Sequence, residues 1–308
     1  LKVAFRGAAD AVDYVKRRMA PLPSRALRGF EMHDAIEVGV QSLHLYPVKS
    51  CAGVRVDRLR FDDKGGLVGD REWAVVDAMS ELVWQGSHPR LALVVPGFDG
   101  ATLTLGSAAA DHQVRPVAAV DPCEVRIWNA GTARHDTFSA RDGGDAAADF
   151  LSKIVGAPLR LVRLGARAQQ RQDASPVHVV STSSMAELNE TLARHALPAA
   201  AVERLRPNVV IAGAHESLLP FLEEHVTEMR WASDQGVGSL RAFQPCIRCS
   251  VPNVDPATGV PADGVLEAMT RLSAQRHPGH PVCFGVYARP GGVSTLRAGA
   301  LIEATVVL

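Results

Sequence analysis

Val38-Gly-Val-Gln-Ser-Leu-His-Leu-Tyr46 alternates apolar with polar or small residues and then breaks at Pro47. Alternation of that kind predicts a β-strand with one face in a core. The same rhythm extends outward from it. Residues 54–61, 73–77, 82–84, 91–95, 103–105 and 125–128 are strand-like, with turns at 62–66 and 96–100 where glycine supplies positive φ. This first part of the chain reads as an antiparallel β region.

Further on, residues 143–156 read as a helix. Asp145 is placed to cap it, Phe150, Leu151, Ile154 and Val155 share a face, and Gly156 ends it. Strands follow at 159–164 and 177–181, with a charged loop between them at 165–175. Ser184 with Glu187 three residues later has capping-box spacing, and Met185, Leu188 and Leu192 lie on one face of the helix they open. More strands are expected at 208–212, 239–243, 283–289 and 301–307, giving a β-rich mixed α+β fold. A break near 140–175 divides an N-terminal β region, 36–140, from a second mixed β domain, 141–308, and leaves open whether the two interleave. Residues 1–35 differ: one helix at 8–19, two prolines, then a run of arginines. The chain starts at leucine and Met32 precedes the first strand, so residues 1–31 are expected to be an upstream extension or loosely attached segment.

Composition excludes several classes. Of 308 residues 47% are hydrophobic, enough for a sizeable core, and 33 basic residues balance 33 acidic ones. A nucleic-acid polymer binder usually shows a basic excess, so that class is disfavoured. The cations are 28 arginines and five lysines, a bias that GC-rich coding also produces. No run approaches the ~20 apolar residues of a membrane span, and no secretory pattern opens the chain. Five cysteines (Cys51, Cys123, Cys246, Cys249, Cys283) form no disulfide framework, which fits a reducing, cytoplasmic setting. Trp84, Trp128 and Trp231 are read as core or cleft aromatics.

The strongest chemical signal is Gln244-Pro-Cys246-Ile-Arg-Cys249-Ser-Val-Pro-Asn-Val-Asp255-Pro-Ala-Thr-Gly259. Two cysteines three apart can turn toward one point, and the cation of Arg248 between them favours the thiolate that binds metals. Four readings stay open on spacing alone. They are a zinc site with His277, His280 or Cys283, a redox dithiol, a single thiolate holding a soft or redox metal, and inert buried cysteines. Lys49, flanked by Ser50 and Cys51 at a strand end, suits an oxyanion. Arg71 at the entry to an apolar strand, and Arg204, Arg206 and Asn208 at another, suit a phosphate. Dinucleotide and phosphate-loop glycine motifs, a nucleophile elbow and His-Glu-x-x-His are all absent.

Taken in order, these segments resemble the MOSC family, the molybdenum-cofactor-binding proteins related to the C-terminal domain of molybdenum cofactor sulfurase. The resemblance runs from about Val40 to the C-terminus. It rests on Leu45-Tyr-Pro-Val-Lys-Ser-Cys51, Gly69-Asp-Arg-Glu-Trp73, His88-Pro-Arg-Leu91 and Ser175-Pro-Val-His-Val-Val-Ser181. Met185-Ala-Glu-Leu-Asn189, Arg206-Pro-Asn-Val-Val210, Cys246-Ile-Arg-Cys249 with Val254-Asp255, and Phe284-Gly-Val-Tyr287 complete it. Within that family the chain resembles the amidoxime-reducing components and bacterial reductases of N-hydroxylated bases. The resemblance implies an N-terminal β-barrel region packed with a MOSC β-barrel domain, and a molybdenum cofactor whose metal is bound by Cys249. It implies that Lys49, Ser50, Arg71, Thr182, Ser183, Ser184, Arg206 and Asn208 line the cofactor pocket. Asp255 is a carboxyl within reach of Cys249 in sequence and is a candidate for catalysis, with turn shaping as its alternative role. The implied activity is reduction of a small N-hydroxylated substrate. The alternatives are a carrier or sulfur-transfer protein that reduces nothing. No four-cysteine ferredoxin module is present, so electrons are expected from a separate ferredoxin, flavoprotein or cytochrome. One departure is Ala298-Gly-Ala300, where relatives commonly place Gly-Asp.

Overall fold

The computed structural model describes residues 34–99, 102–107, 110–114, 121–170 and 176–307. The expected N-terminal extension and its helix at 8–19 lie outside the described residues, as do parts of the 96–100 turn and the 165–175 loop. Strand β1 (Asp34–Leu45) carries Val38 and Val40 into the core on one phase and Leu43 and Leu45 on the other. The phases are reconciled by a bulge between Val40 and Ser42, where two residues of β1 face one of its neighbour. Without it, every side chain beyond Val40 would turn to the opposite face.

That strand closes a barrel. Its first half pairs with β17 (Leu301–Val306), and Val38–Leu43 pair with β12 (Val209–Gly213). Strands β11 (Val177–Ser181), β15 (Cys283–Pro290), β14 (Gly236–Ile247) and β13 (Val226–Ser233) complete the seven-stranded circuit β1-β12-β11-β15-β14-β13-β17. Only β11 and β12 run parallel, as their connection through helix α3 (Thr182–Arg194) requires. The interior holds Val38, Leu43, Val179, Ile211, Met229, Leu240, Val286 and Ile302, each fully or almost fully buried. At ~1.5–3 kcal/mol per buried aliphatic side chain, this core is the main stabilising element of the barrel. Outside it, α3 and helix α4 (Val265–Arg276) pack together through Leu188, Leu192, Met269 and Leu272.

A second module stands beside the barrel. Strands β4 (Trp73–Val76), β10 (Arg160–Leu164), β9 (Arg134–Asp142) and β8 (Pro122–Asn129) form a four-stranded sheet. Strands β5 (Val94–Phe98), β6 (Leu103–Ser107) and β7 (Ala110–Val114) form another. Helix α1 (Asp145–Val155) sets Ala147, Phe150, Leu151 and Ile154 against Trp73, Val75, Val94, Leu105 and Leu161. A short helix, α2 (Ala166–Gln169), follows β10. Residues from both sides of the 140–175 break therefore share sheets: β1 lies in the barrel and β10 pairs with β4.

Several local expectations need correction. The run 54–61 is two strands: β2 (Val54–Val56) pairs with β1, and β3 (Arg58–Phe61) with β16 (Ser294–Arg297). Residues 91–95 begin in a 3-10 turn, Pro89–Leu93, because proline fixes φ and has no N–H for a ladder. The segment 82–84 makes only isolated bridges. Gly144, not Asp145, takes the cap position of α1, while Gly156 ends it in the left-handed region as expected. Ser181, not Ser184, caps α3: its Oγ accepts from the Ser184 N–H at 3.0 Å. Trp231 is buried, but Trp84 and Trp128 are exposed. Strands β9 and β13 and helix α4 lie where loops or nothing were expected.

Candidate functional site

Two loops at one end of the barrel are zipped together. The Arg71 N–H donates to Tyr46 O at 2.7 Å, the Trp73 N–H to Pro47 O at 3.0 Å, and the Lys49 N–H to Trp73 O at 2.8 Å. Ser50 and Arg71 in these loops, and Arg206 before β12, all hold left-handed backbone (φ 69, 51 and 57°). Such conformations cost a non-glycine residue about 1–3 kcal/mol each, and they concentrate where geometry is imposed by use.

What they position is a stack of two cations on one ring. The guanidinium carbons of Arg71 and Arg206 lie 4.6 and 4.3 Å from the Tyr46 ring centroid. The Tyr46 hydroxyl donates to Pro207 O at 3.1 Å. Arg206 donates to Cys51 O, and Arg71 donates to Asp70 and, at 3.1 Å, to Asn208 Oδ1. Asn208 is fully buried. Its Nδ2 donates to His44 O and to Asp70 Oδ1, both at 3.2 Å, and its Oδ1 also accepts from the His178 N–H. Its amide is fully engaged, so Asn208 holds Arg71 in place from behind. Burial lowers Arg206 to about 10, with Tyr46 opposing that shift and Arg71 adding to it. It remains a cation at neutral pH.

The cysteine pair stands at the end of β14. The ladder slips between Pro245 and Ile247, where the partner strand spans from Val286 to Cys283 through Gly285 at φ 73°. A Cβ on Gly285 would meet Val179 O at 2.5 Å, so only glycine fits this bulge. Cys246 is buried and Cys249 exposed. Between them, Arg248 donates Nη1 to Cys246 Sγ at 2.8 Å and Nη2 to Leu205 O at 2.9 Å. Its Nε is buried and finds no partner among the described residues. Arg248 thereby reaches the residue preceding Arg206. The charges of Arg248 and Arg71 both act on His178, which burial lowers to about 3, and on Tyr287, which Cys246 and burial push upward. His178 is neutral and donates Nε2–H to Phe284 O at 3.1 Å. Arg71 and Arg206 thus share the Tyr46 ring, Arg248 joins them through the Leu205 carbonyl and is the guanidinium that interacts with Cys249, and Asp70 answers Arg71. An orphaned N–H and a surplus of cations fit an anionic group with hydrogen-bonding edges.

The chain matches two family descriptions over most of its length. Residues 37–158 match the MOSC N-terminal beta barrel domain, and residues 166–303 match the MOSC domain. The chain belongs to the MOSC family. This MOSC chain is 29% identical over 247 residues to human mitochondrial amidoxime-reducing component 1, covering 72% of this chain and 67% of the relative. It is 28% identical to the rat mitochondrial amidoxime reducing component 2, covering 72% of this chain and 68% of that one. Human molybdenum cofactor sulfurase matches at 27% over 88% of this chain, which spans only 32% of the sulfurase. The YUAD protein from Bacillus subtilis superposes with a TM-score of 0.42 at 14% identity, over 90% of this chain and all of that one. No helix among the described residues of the MOSC chain is long and apolar enough to cross a membrane.

The MOSC fold brings Arg71, Arg206, Asn208 and Arg248 together, with Lys49 half-buried and Ser50 buried on the same loop as Cys51. Thr182 and Ser183 are half-buried at the start of α3, where first-turn N–H groups lack intrahelical acceptors. Ser184 is fully buried. Its Oγ donates to Glu223 Oε2 at 2.9 Å and accepts from the Phe221 N–H at 2.7 Å, so it braces the helix. Asp255 builds a turn: Oδ2 accepts from Arg204 at 2.6 Å, and Oδ1 from the Ala257 and Thr258 N–H groups. Partial burial raises its carboxyl, but those N–H groups and Arg204 outweigh it and hold the pKa below the usual range. This suits an acceptor and not a proton donor near neutral pH. Arg204, read as a phosphate residue, donates to the carbonyls of Pro252 and Asn253. His277 bonds Glu224, Cys283 Sγ faces Pro281 O, and no trio of His, Cys, Asp or Glu among the described residues forms a metal site. Sequence reasoning assigned no role to Tyr46, Tyr287 or His178. A signal existed: the chain has three tyrosines, and two of them lie in these motifs.

Proposed function

We propose that this protein holds a molybdenum cofactor through Cys249 and reduces small N-hydroxylated substrates, taking electrons from a separate donor protein of ferredoxin, flavoprotein or cytochrome type. The observation that carries it is an exposed cysteine interacting with Arg248, whose buried Nε has no partner among the described residues and which reaches, through the Leu205 carbonyl, the Arg71–Tyr46–Arg206 stack. Similarity to the amidoxime-reducing components supports the reaction class. When bound, the cofactor supplies two-electron oxygen chemistry through a soft thiolate-held metal. Arg71 and Arg206 would clamp its phosphate, a planar fork against a tetrahedral anion. Lys49, Ser50, Thr182 and Ser183 would supply further donors. Asp70 and Asn208 fix Arg71, Ser184 fixes α3, and Asp255 fixes the loop after Cys249. Removing the substrate's hydroxyl oxygen as water takes two protons and two electrons, the electrons coming from the donor protein, and Asp255, held below the usual carboxylate range, does not act as the proton donor near neutral pH.

The sulfurase relatives favour a second reading, cofactor carriage or sulfur transfer without reduction. Metal and pterin analysis of wild type and Cys249→Ser, made in a host that synthesises the cofactor, tests the shared premise. We expect near-stoichiometric molybdenum and pterin in the wild type and depleted molybdenum in the variant. Zinc, or no metal, overturns the site. Turnover of an amidoxime with a chemical reductant then separates the reductase from the carrier.

A further inference from the structure

The first turn of α3 is held by a carboxylate from another part of the chain. Glu223 lies in a 3-10 turn, Leu222–His225, that precedes β13, and it is buried. Its Oε1 accepts from the Ser181 N–H at 3.1 Å and its Oε2 from the Ser184 hydroxyl at 2.9 Å. In a capping box the residue three positions past the cap sends its own carboxylate back to the cap N–H. Here that position is Ser184, and Glu223 supplies the carboxylate from outside the helix. The brace is itself fixed. Ser184 Oγ accepts from the Phe221 N–H at 2.7 Å, and Phe221 holds left-handed backbone at φ 65° with the Arg276 guanidinium carbon 3.4 Å from its ring centroid. Arg276 and His277 both bond Glu224, each at 3.0 Å, so the cations at the end of α4 are spent on that neighbour. Outside its own residue the Glu223 carboxylate bonds Ser181 and Ser184 alone. With the N–H groups of Ser181 and Ser184 satisfied inside this network, the donors left at the start of α3 are the N–H groups and hydroxyls of Thr182 and Ser183, which have no acceptor among the described residues.

We propose that Glu223 is a positioning residue of the cofactor site, holding the first turn of α3 so that the Thr182 and Ser183 donors meet the anionic cofactor. The inference rests on the molybdenum-cofactor reading above and adds to it a residue outside the pocket-lining set, acting through Ser181 and Ser184. The role needs length and an acceptor, and charge is dispensable. Glutamine reaches the same two atoms: its Oε1 accepts from the Ser181 N–H, and its Nε2 donates to Ser184 Oγ while the Ser184 hydroxyl turns to Ser181 Oγ, 2.8 Å away. Aspartate keeps the charge but is one methylene too short to span both donors.

The test measures pterin retained per folded full-length chain after a fixed dialysis, with melting temperature alongside, all proteins being made in a host that synthesises the cofactor. Wild type is compared with Glu223→Ala, Glu223→Asp, Glu223→Gln and Glu224→Gln. The last weakens the neighbouring buried pairs with Arg276 and His277 but has no bond to α3, so it reports a merely structural loss. We expect Glu223→Ala and Glu223→Asp to retain at least fivefold less pterin than wild type and Glu223→Gln to stay within twofold of it. Glu224→Gln is expected to melt lower yet also to stay within twofold. Glu223→Asp carries the comparison if Glu223→Ala does not fold. Wild-type retention in Glu223→Ala and Glu223→Asp overturns the inference alone. So does failure of Glu223→Gln to rescue, or an equal loss in Glu224→Gln, which makes the effect general destabilisation. A wild type without pterin overturns the cofactor reading and this inference with it.

Discussion

Asn208 ties the site to the barrel through one carboxamide. It joins His44 on β1, Asp70 and Arg71 on the second loop and His178 on β11. Truncating it leaves buried groups without partners and lets Arg71 swing from Tyr46. Asn208→Ala is therefore expected to cost ~2–4 kcal/mol and to lower molybdenum content. Asn208→Asp keeps the shape but sets a second carboxylate beside Asp70, and no rescue is expected. Urea denaturation with metal analysis checks both. The motif Arg206-Pro-Asn208 is visible in the sequence, but its division of labour is not. Whether an asparagine touches a ligand or holds the residue that does depends on partners far away in the chain.

Helix α3 shows the same limit for a whole element. The apolar spacing of Met185, Leu188 and Leu192 predicts it, and all three are buried. Its start was misplaced because Ser181, Thr182, Ser183 and Ser184 are all capable caps by residue type. Burial decided among them: Ser181 and Ser184 are both inside, and Glu223 draws the Ser184 hydroxyl away. Ser181→Ala is expected to cost about 1 kcal/mol. Glu187→Ala is expected to stay within about 0.5 kcal/mol, since no capping box forms. Thermal denaturation of the two variants would show the reverse order if Ser184 were the cap.

For the molecule as a whole, closure of the barrel by β1 makes the two halves interdependent. Residues 160–308 expressed alone lack β1, leaving the edges of β12 and β17 unpaired; insoluble or unfolded product is expected by circular dichroism. A folded, soluble fragment would refute the closure. Acid stability is a second property of this scale. Burial holds His178 at about 3, so it stays neutral in the folded protein down to that pH, and burial lowers His44 and His225 in the same direction. The unfolded chain protonates these histidines below about pH 6.5. It then binds more protons than the folded protein, and stability falls on acidification from about pH 6.5 toward 3 while staying flat above 7. His178 alone contributes up to about 1.4 kcal/mol per pH unit in that window. Glu223, raised by burial and by Glu224, works in the opposite direction, from about pH 4.5 up to its raised value. Urea midpoints at pH 7.5, 6 and 5 measure the slope, and a flat profile would exclude buried neutral histidines.

By itself the sequence determined the β-rich class, most strand positions, both helices with clear apolar faces, and the motifs that mark the family. Those features are local: alternation, cap residues and glycine or proline punctuation act over a few neighbouring residues. Only the tertiary structure decided that β1 closes the barrel, and that a bulge keeps both its apolar phases inside. It also decided that Tyr46 carries two guanidiniums, and that Arg204, Asp255, Ser184 and Asn208 act as braces. These outcomes depend on which distant side chains meet, and burial, hydrogen-bond completion and charge compensation are settled only by that meeting.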